Sequence, residues 1–253
     1  MGSYAMTGGA TGIGAAIKQS LRNAGHNVVV ADIKDADILG DLSNPEGREK
    51  AIAAFREHCA DGLDGLITCA GVAQQMKDHA IIASLNYFGS IAMVEGLEDL
   101  LAKNNGNVVL ISSNSAPMCG SPDFVDALLG NDEELARKLA ADISGHDAYS
   151  GSKQAVARWM KHNCAALAAK GIRINAVAPG YIETPMTQAV ADDPEYGDAI
   201  KQFVASIPLG RPGQPEDIAN LVDFVLSDKG SFICGALLYI DGGHDAMMRN
   251  DAF

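Results

Sequence analysis

Tyr149 and Lys153 stand four residues apart in the segment YSGSK (149–153), and of the six tyrosines in the chain only Tyr149 has a lysine at that spacing. On a helix this spacing puts both side chains on one face. A phenol beside an ammonium suits one kind of chemistry: passing a proton to or from a carbinol oxygen while a separate carrier passes a hydride. Free tyrosine, with a pKa of about 10, is a poor base at neutral pH, and bringing it near 7 takes about 4 kcal/mol of preference for the phenolate. One ammonium about 6 Å away supplies roughly 3 kcal/mol at an effective dielectric of about 20. The positive charge of an oxidised hydride carrier adds more. The same pair also occurs on ordinary helix surfaces, so its meaning depends on what the rest of the chain builds around it.

A second segment supplies that context. TGGATGIGAA (7–16) puts glycine at 8, 9, 12 and 14, where a strand hands over to a helix. Gly8, Gly12 and Gly14 allow a sharp turn and a close backbone approach to a pyrophosphate, which the helix N-terminus then meets with free N–H groups and a positive dipole end. The spacing is G-x-x-x-G-x-G. Asp32 ends the next apolar run, VVVAD, 18 residues after Gly14. A carboxylate there binds both ribose hydroxyls of an adenosine and repels a 2′-phosphate, so the expected cofactor is NAD rather than NADP. Asp41 and Leu42 are placed to flank the adenine, although Asp41 also reads as a plain helix-entry carboxylate.

The elements that carry these residues alternate. Strand-like segments fall at 3–6, 27–32, 63–71, 106–113, 172–180 and 236–243. Between them lie helical patterns from Ile13 to Ala24 with Gly25 closing, at 43–58, 78–103, 148–170 with Gly171 closing, and 215–228. Strands apolar on both faces and separated by helices imply a parallel sheet covered on both sides. The fold class is therefore α/β, a Rossmann-type doubly wound parallel sheet. No linker or internal repeat divides the chain, and 1–253 reads as one domain.

The bulk composition narrows the partners. A net charge of −13 opposes nucleic acid and anionic lipid. No apolar run reaches membrane-spanning length, and MGSYAMTGG does not read as a signal peptide. Cys59, Cys69, Cys119, Cys164 and Cys234 are scattered without a C-x-x-C, which reads as reduced thiols and a cytoplasmic location. The six histidines form no metal-binding spacing, and no metal is expected.

Together these motifs resemble the short-chain dehydrogenase/reductase family. The resemblance rests on TGGATGIG (7–14), CAG (69–71), LNYFGS (85–90), ISS (111–113), YSGSK (149–153), APGYIETPM (178–186), GRPGQPEDIA (210–219) and YIDGG (239–243), which run in family order over nearly the whole chain. It implies that Tyr149 is the general acid/base and that Lys153 holds the nicotinamide ribose and lowers the tyrosine pKa. Ser113 would bond the substrate oxygen, with Ser112 and Ser115 as rivals. Asn86 would hold a water linking Lys153 to solvent, or else simply cap a neighbouring carbonyl. The resemblance further implies cofactor contacts at Gly8, Thr11, Gly12, Ile13, Gly14, Asp32, Ile33, Asp41, Leu42, Ala70, Gly71, Tyr149, Lys153, Pro179, Gly180, Ile182 and Thr184.

Two departures stand out. Thr68-Cys69 replaces an asparagine pair common in the family, removing a brace between strands. Thirty-six positions separate Ser113 from Tyr149, where family members usually have about a dozen. The extra stretch, 117–146, carries a helical pattern at Leu135, Leu139 and Ile143. It should crowd the helix faces used for tetramers, so a homo-oligomer in dimeric form is expected.

The resemblance implies NAD(H)-dependent interconversion of a secondary alcohol and a ketone on a bulky apolar substrate, with hydroxysteroids and aromatic carbonyl compounds as candidates. A loop at 185–208 (Met186, Val190, Phe203, Val204, Ile207) and the insertion (Met118, Phe124, Leu128, Leu129) offer apolar residues for a pocket and lid, or for ordinary core. The alternatives are a 3-oxoacyl-thioester reductase, which the acidic charge and Asp32 oppose, and a silent NAD-binding regulator, which an intact Ser113, Tyr149, Lys153 and Asn86 set opposes. A sugar epimerase would need a further substrate domain. An enoyl reductase would space tyrosine and lysine more widely.

Overall fold

All seven strands of the computed structural model, which describes residues 1–193 and 197–251, are parallel and form one sheet. In chain order they are β1 (Ser3–Thr7), β2 (Asn27–Asp32), β3 (Ile38–Leu39), β4 (Gly65–Thr68), β5 (Asn107–Ile111), β6 (Arg173–Pro179) and β7 (Leu237–Ile240). Their spatial order is β3-β2-β1-β4-β5-β6-β7. The direction of winding therefore reverses between β1 and β4, and a crevice opens at the carboxyl ends of the strands there. Register brings Thr7 level with both Ala31 and Thr68, so three strand ends finish together beside that crevice.

Each face of the sheet is covered. On one side α1 (Gly12–Asn23) packs against α11 (Pro215–Leu226), burying Ile17, Leu21, Ile218 and Val222 over Met6, Val30 and Val109. On the other side lie α2 (Pro45–His58), α3 (His79–Ile82), α4 (Ser90–Gly96), α5 (Glu98–Lys103) and α8 (Gly145–Ala168). Their buried residues, among them Phe55, Ile91, Leu101 and Met160, meet Ala5, Leu66 and Val108. Strands sandwiched in this way need apolar residues at every position, which explains NVVVA and NVVLI.

Several expectations are revised. β3 is an additional strand of only two residues, too short to leave a periodic signal. The helix expected over 78–103 is broken into α3, a π-helical stretch at Ala83–Gly89, α4 and α5. The catalytic-side helix starts at Gly145 rather than 148, because Ser144 caps it by accepting from Asp147 N–H (3.0 Å). The insertion forms α6 (Pro122–Leu129) and α7 (Glu133–Ala141), so Ile143 lies beyond the second helix. α7 buries Ala136 and Ala140, while Leu135 of the expected apolar stripe is 43% exposed. The 185–208 loop contains α9 (Pro185–Ala191) and α10 (Gly197–Ala205), with residues 194–196 outside the described residues.

The insertion is fastened to the body. Arg48 of α2 forms a two-pronged ion pair with Glu133 (2.7 and 2.8 Å) and is itself only 7% exposed. Arg137 donates to Ser84 Oγ at 2.7 Å. α6 packs on α8, and α7 packs on α3 and the π-helical stretch. Beyond β7 a short helix, α12 (His244–Met248), carries buried His244, which bonds Ser206 Oγ (3.0 Å) and stacks edge-on against Phe203 of α10. Among the described residues no helix is long and apolar enough to cross a membrane.

Candidate active site

The crevice at the switch point encloses about 320 Å³ and is lined from six strand ends. After β1 the chain turns through Gly8, whose φ of +74° suits glycine, and a Cβ there would stand 2.4 Å from the Ala70 nitrogen. Gly14 is tighter still: its Cβ would lie 1.8 Å from the Gly8 carbonyl oxygen. Removing both side chains lets α1 start hard against the strand end. Thr11, the residue before α1, makes no side-chain cap, and the first turn holds no acidic residue. The opening N–H groups of α1 are thus left without a side-chain acceptor, at the wall of the crevice.

Asp32 ends β2 with its carboxylate held in place. Oδ2 accepts from Ala10 N–H (3.0 Å) and Oδ1 from Ile33 N–H (2.7 Å), which ties the glycine turn to the neighbouring strand. Asp41 and Leu42 line the same end of the crevice, and hydrogen bonds from Ser43 hold the Asp41 carboxyl below the usual carboxylate range.

At the other end Tyr149 and Lys153 share one face of α8, with the ammonium 5.9 Å from the phenol ring centre. Lys153 Nζ donates to the Ile111 carbonyl (2.8 Å), while Ser112 Oγ donates to the Lys153 carbonyl (2.8 Å). Ser112 is thereby occupied in fastening β5 to α8. Ser113 follows at the strand end, held between two backbone bonds that continue the β5–β6 ladder, Ser112 N–H to Val177 O and Asn114 N–H to Pro179 O. Its hydroxyl acts on the Tyr149 phenol, accepts from Ser115 N–H (3.2 Å) and lies 3.0 Å from Ser115 Oγ. Ser113 lines the crevice and Ser115 does not, so Ser113 is the serine that faces a ligand.

The electrostatics differ from the sequence expectation. Burial pushes the Tyr149 phenol above its ordinary value, and the bond from Ser113 only partly opposes this. Burial also pulls the Lys153 ammonium down to about 8. Desolvation therefore dominates at both groups, because they have been taken out of water together. Neighbouring Cys69 is pushed up to about 11 by burial and stays a thiol.

Every cofactor-contact residue expected from the sequence lines this crevice: Gly8, Thr11, Gly12, Ile13, Gly14, Asp32, Ile33, Asp41, Leu42, Ala70, Gly71, Tyr149, Lys153, Pro179, Gly180, Ile182 and Thr184. Asn86 sits behind the wall. The π-helical turn points its amide at Val72, where Oδ1 accepts from the backbone N–H (2.9 Å) and Nδ2 donates to the carbonyl (3.0 Å) and to Ser152 Oγ (3.2 Å). Lys34, Val72 and Leu85 also line the crevice and were not anticipated as contacts, since nothing in their spacing marks them. Thr68 Oγ1 is buried without a partner, as expected where the family's bracing asparagine is missing. None of the insertion residues proposed for a pocket lines the crevice; Phe124 and Leu128 are fully buried core. Of the five loop residues offered for a pocket only Met186 lines it, beside Pro185 and Thr187, while Val190 and Ile207 are buried and Phe203 is occupied by His244.

Comparison with known proteins agrees with this geometry. Residues 4–122 match the sequence model described as short chain dehydrogenase, and residues 135–245 match one described as enoyl-(acyl carrier protein) reductase. The chain is 39% identical to the 3-alpha-hydroxysteroid dehydrogenase/carbonyl reductase of Comamonas testosteroni, with 100% of both chains covered. The chain belongs to the short-chain dehydrogenase family. Within that family it is also 31% identical to the cis-4-hydroxycyclohexanecarboxylate dehydrogenase of Sinomonas cyclohexanicum, over 96% of each chain. The crystal structure of a 3-alpha-hydroxysteroid dehydrogenase from Pseudomonas sp. B-0831 complexed with NADH superposes with a TM-score of 0.96, at 42% identity and covering 99% of this chain and 100% of that one. As a short-chain dehydrogenase the protein is an oxidoreductase with a doubly wound sheet.

Proposed function

We propose that this single-domain protein is an NAD(H)-dependent alcohol dehydrogenase/carbonyl reductase acting on a bulky apolar substrate of the hydroxysteroid or aromatic-carbonyl class. The observation that carries the reading is the convergence of Ser113, Tyr149 and Lys153 at one end of a crevice whose other end is Asp32. The residues present fit a dinucleotide: a cradle with no room for a Cβ at Gly8 and Gly14, an uncapped helix start, and a carboxylate at the far end. When bound, the nicotinamide supplies or takes the hydride.

The chain's own residues do the rest. Ser113 bonds the substrate oxygen. Tyr149 gives the proton in reduction and takes it in oxidation. Lys153 holds positive charge beside the phenol and is oriented by the Ile111 carbonyl. Asn86 fixes the Gly71–Val72 turn beside Lys153, and its place there supports the water link expected of it. Asp32 selects against a 2′-phosphate. The presence of all these groups favours turnover over silent nucleotide binding.

A spectrophotometric panel tests the reading. Purified protein is given NADH or NADPH with steroid, aromatic and aliphatic ketones. The expected result is NADH oxidation that depends on a bulky ketone and is at least about tenfold faster than with NADPH. No turnover with any ketone overturns the enzyme reading, and a preference for NADPH overturns the role of Asp32.

The same proposal includes a cytoplasmic homodimer with no nucleic-acid or membrane partner. The insertion supports the dimer, since α6 and α7 cover the outer sides of α8 and the π-helical stretch. Native mass spectrometry is expected to give twice the 26.4 kDa chain mass, and a tetramer counts against it.

A further inference from the structure

Cys164 and Cys234 are 70 residues apart in the chain, yet their sulfurs lie 3.4 Å apart. Cys164 is on the last turns of α8, and Cys234 is in the loop that leads into β7. Gly235 makes the approach possible. Its φ is +74°, its N–H bonds the Ile174 carbonyl (2.7 Å), and a Cβ in its place would stand 2.8 Å from the Cys164 sulfur. Both thiols are free, with Cys234 exposed and Cys164 partly so.

The surroundings separate this pair from the other cysteines. Arg173 donates to the carbonyl of Ile233 (3.0 Å), one residue before Cys234, and its charge acts on that sulfur. The thiolate is the form of a cysteine that reacts, and Cys234 is the more exposed of the two. Burial pushes up Cys59, Cys69 and Cys119, and Cys164 as well, but among the described residues only Cys164 and Cys234 bring two sulfurs together. The pair plays no part in the chemistry proposed for the crevice, whose lining includes neither residue.

We propose that Cys164 and Cys234 form a modification site, a dithiol converted reversibly to an intrachain disulfide by small hydroperoxides. The Cys234 thiolate attacks a peroxide oxygen. The O–O bond breaks, the sulfur becomes a sulfenic acid, and the other oxygen leaves as water or alcohol after taking a proton. The Cys164 sulfur then attacks the sulfenic sulfur. The S–S bond forms, the S–O bond breaks, and hydroxide leaves as water with the Cys164 proton. Two thiols lose two electrons and the peroxide gains them. Forming the bond brings the sulfurs from 3.4 Å to about 2.05 Å. The bond would tether the far end of the helix that carries Tyr149 and Lys153 to the edge of the sheet.

The test uses the full chain, first reduced, then exposed to hydrogen peroxide, alkylated and digested without reductant. The expected product is one linked peptide pair containing Cys164 and Cys234, lighter by two hydrogens than the two thiol peptides and separated by dithiothreitol. Cys164→Ser is expected to stop at a dimedone-reactive sulfenic acid on Cys234. In Cys234→Ser the oxidation of Cys164 is expected to slow at least about tenfold. Both substitutions lie on the surface, and the far-ultraviolet spectrum confirms folding. Unchanged alkylation of both cysteines after peroxide overturns the proposal, as does a link to another cysteine or a link between two chains on a non-reducing gel. None of these readouts depends on ketone turnover, so they stand apart from the proposed activity.

Discussion

Tyr149→Phe is expected to lower ketone reduction by about 10²–10⁴-fold while leaving NADH binding, read by fluorescence, unchanged. The substitution removes one oxygen and keeps the ring that packs beside Lys153. Among the described residues lining that end of the crevice, the remaining proton carriers are poor substitutes. Ser113 and Ser112 are alcohols, the Cys69 thiol is pushed up to about 11, and Lys153 is committed to the Ile111 carbonyl. The pH dependence follows from the same site. Burial raises the phenol, so the free protein carries it protonated at neutral pH, ready for reduction. Oxidation needs the phenolate and should rise with pH, while reduction falls as pH climbs through the phenol's pKa. The ammonium, at about 8, loses its charge at lower pH than the phenol titrates and withdraws its help first. A variant retaining more than about a tenth of wild-type kcat, well short of this loss, would remove Tyr149 from its role.

Gly14→Ala is expected to abolish nucleotide binding, with the NADH Kd rising at least about 100-fold. The added methyl would stand 1.8 Å from the Gly8 carbonyl oxygen, 2.9 Å from its carbon and 3.2 Å from Met6 Cε. The nearest two atoms are backbone and cannot rotate aside, so α1 must lift from the turn. That movement carries away the uncapped N–H groups and the contact between Ala10 and Asp32. Overpacking of this kind costs about 1–3 kcal/mol, which corresponds to a drop in Tm of about 2–12 °C for a chain of this size. Isothermal titration with NADH and differential scanning calorimetry measure the two effects. Tight binding with an unchanged Tm would mean that the turn does not cradle the nucleotide.

The parts of this site that could be read from the chain alone are those set by local chemistry. The glycine turn announces itself because no other residue tolerates Gly8 and Gly14 where they lie. Asp32 follows from its place at the end of an unbroken apolar strand, and the Tyr149–Lys153 pair from helical spacing. Ser113 and Asn86 came from resemblance to a family, since a serine after a strand and an asparagine in a helix have ordinary uses. What stayed hidden depends on packing. A π-helical stretch around Asn86 leaves no separate periodic signature, and the two-residue β3 leaves none at all. The apolar residues of the insertion looked equally suited to pocket or core, and only the ion pair from Arg48 and the contact with α8 decide for core. Helical spacing could not show that Tyr149 and Lys153 are buried together, which by itself raises the phenol. No reading of sequence spacing would bring Cys164 against Cys234.

The clasp between Arg48 and Glu133 has an implication for anyone reshaping this scaffold. Its guanidinium is almost wholly withdrawn from solvent, Nη2 alone makes both bonds to the Glu133 carboxylate, and Nε has no partner. Cutting the extra segment back to a short loop would strand a bare cation in the interior, at a cost of about 3–5 kcal/mol. The apparent ornament is a structural strut, and a shortened version needs a neutral residue at position 48 before it can be expected to hold its shape.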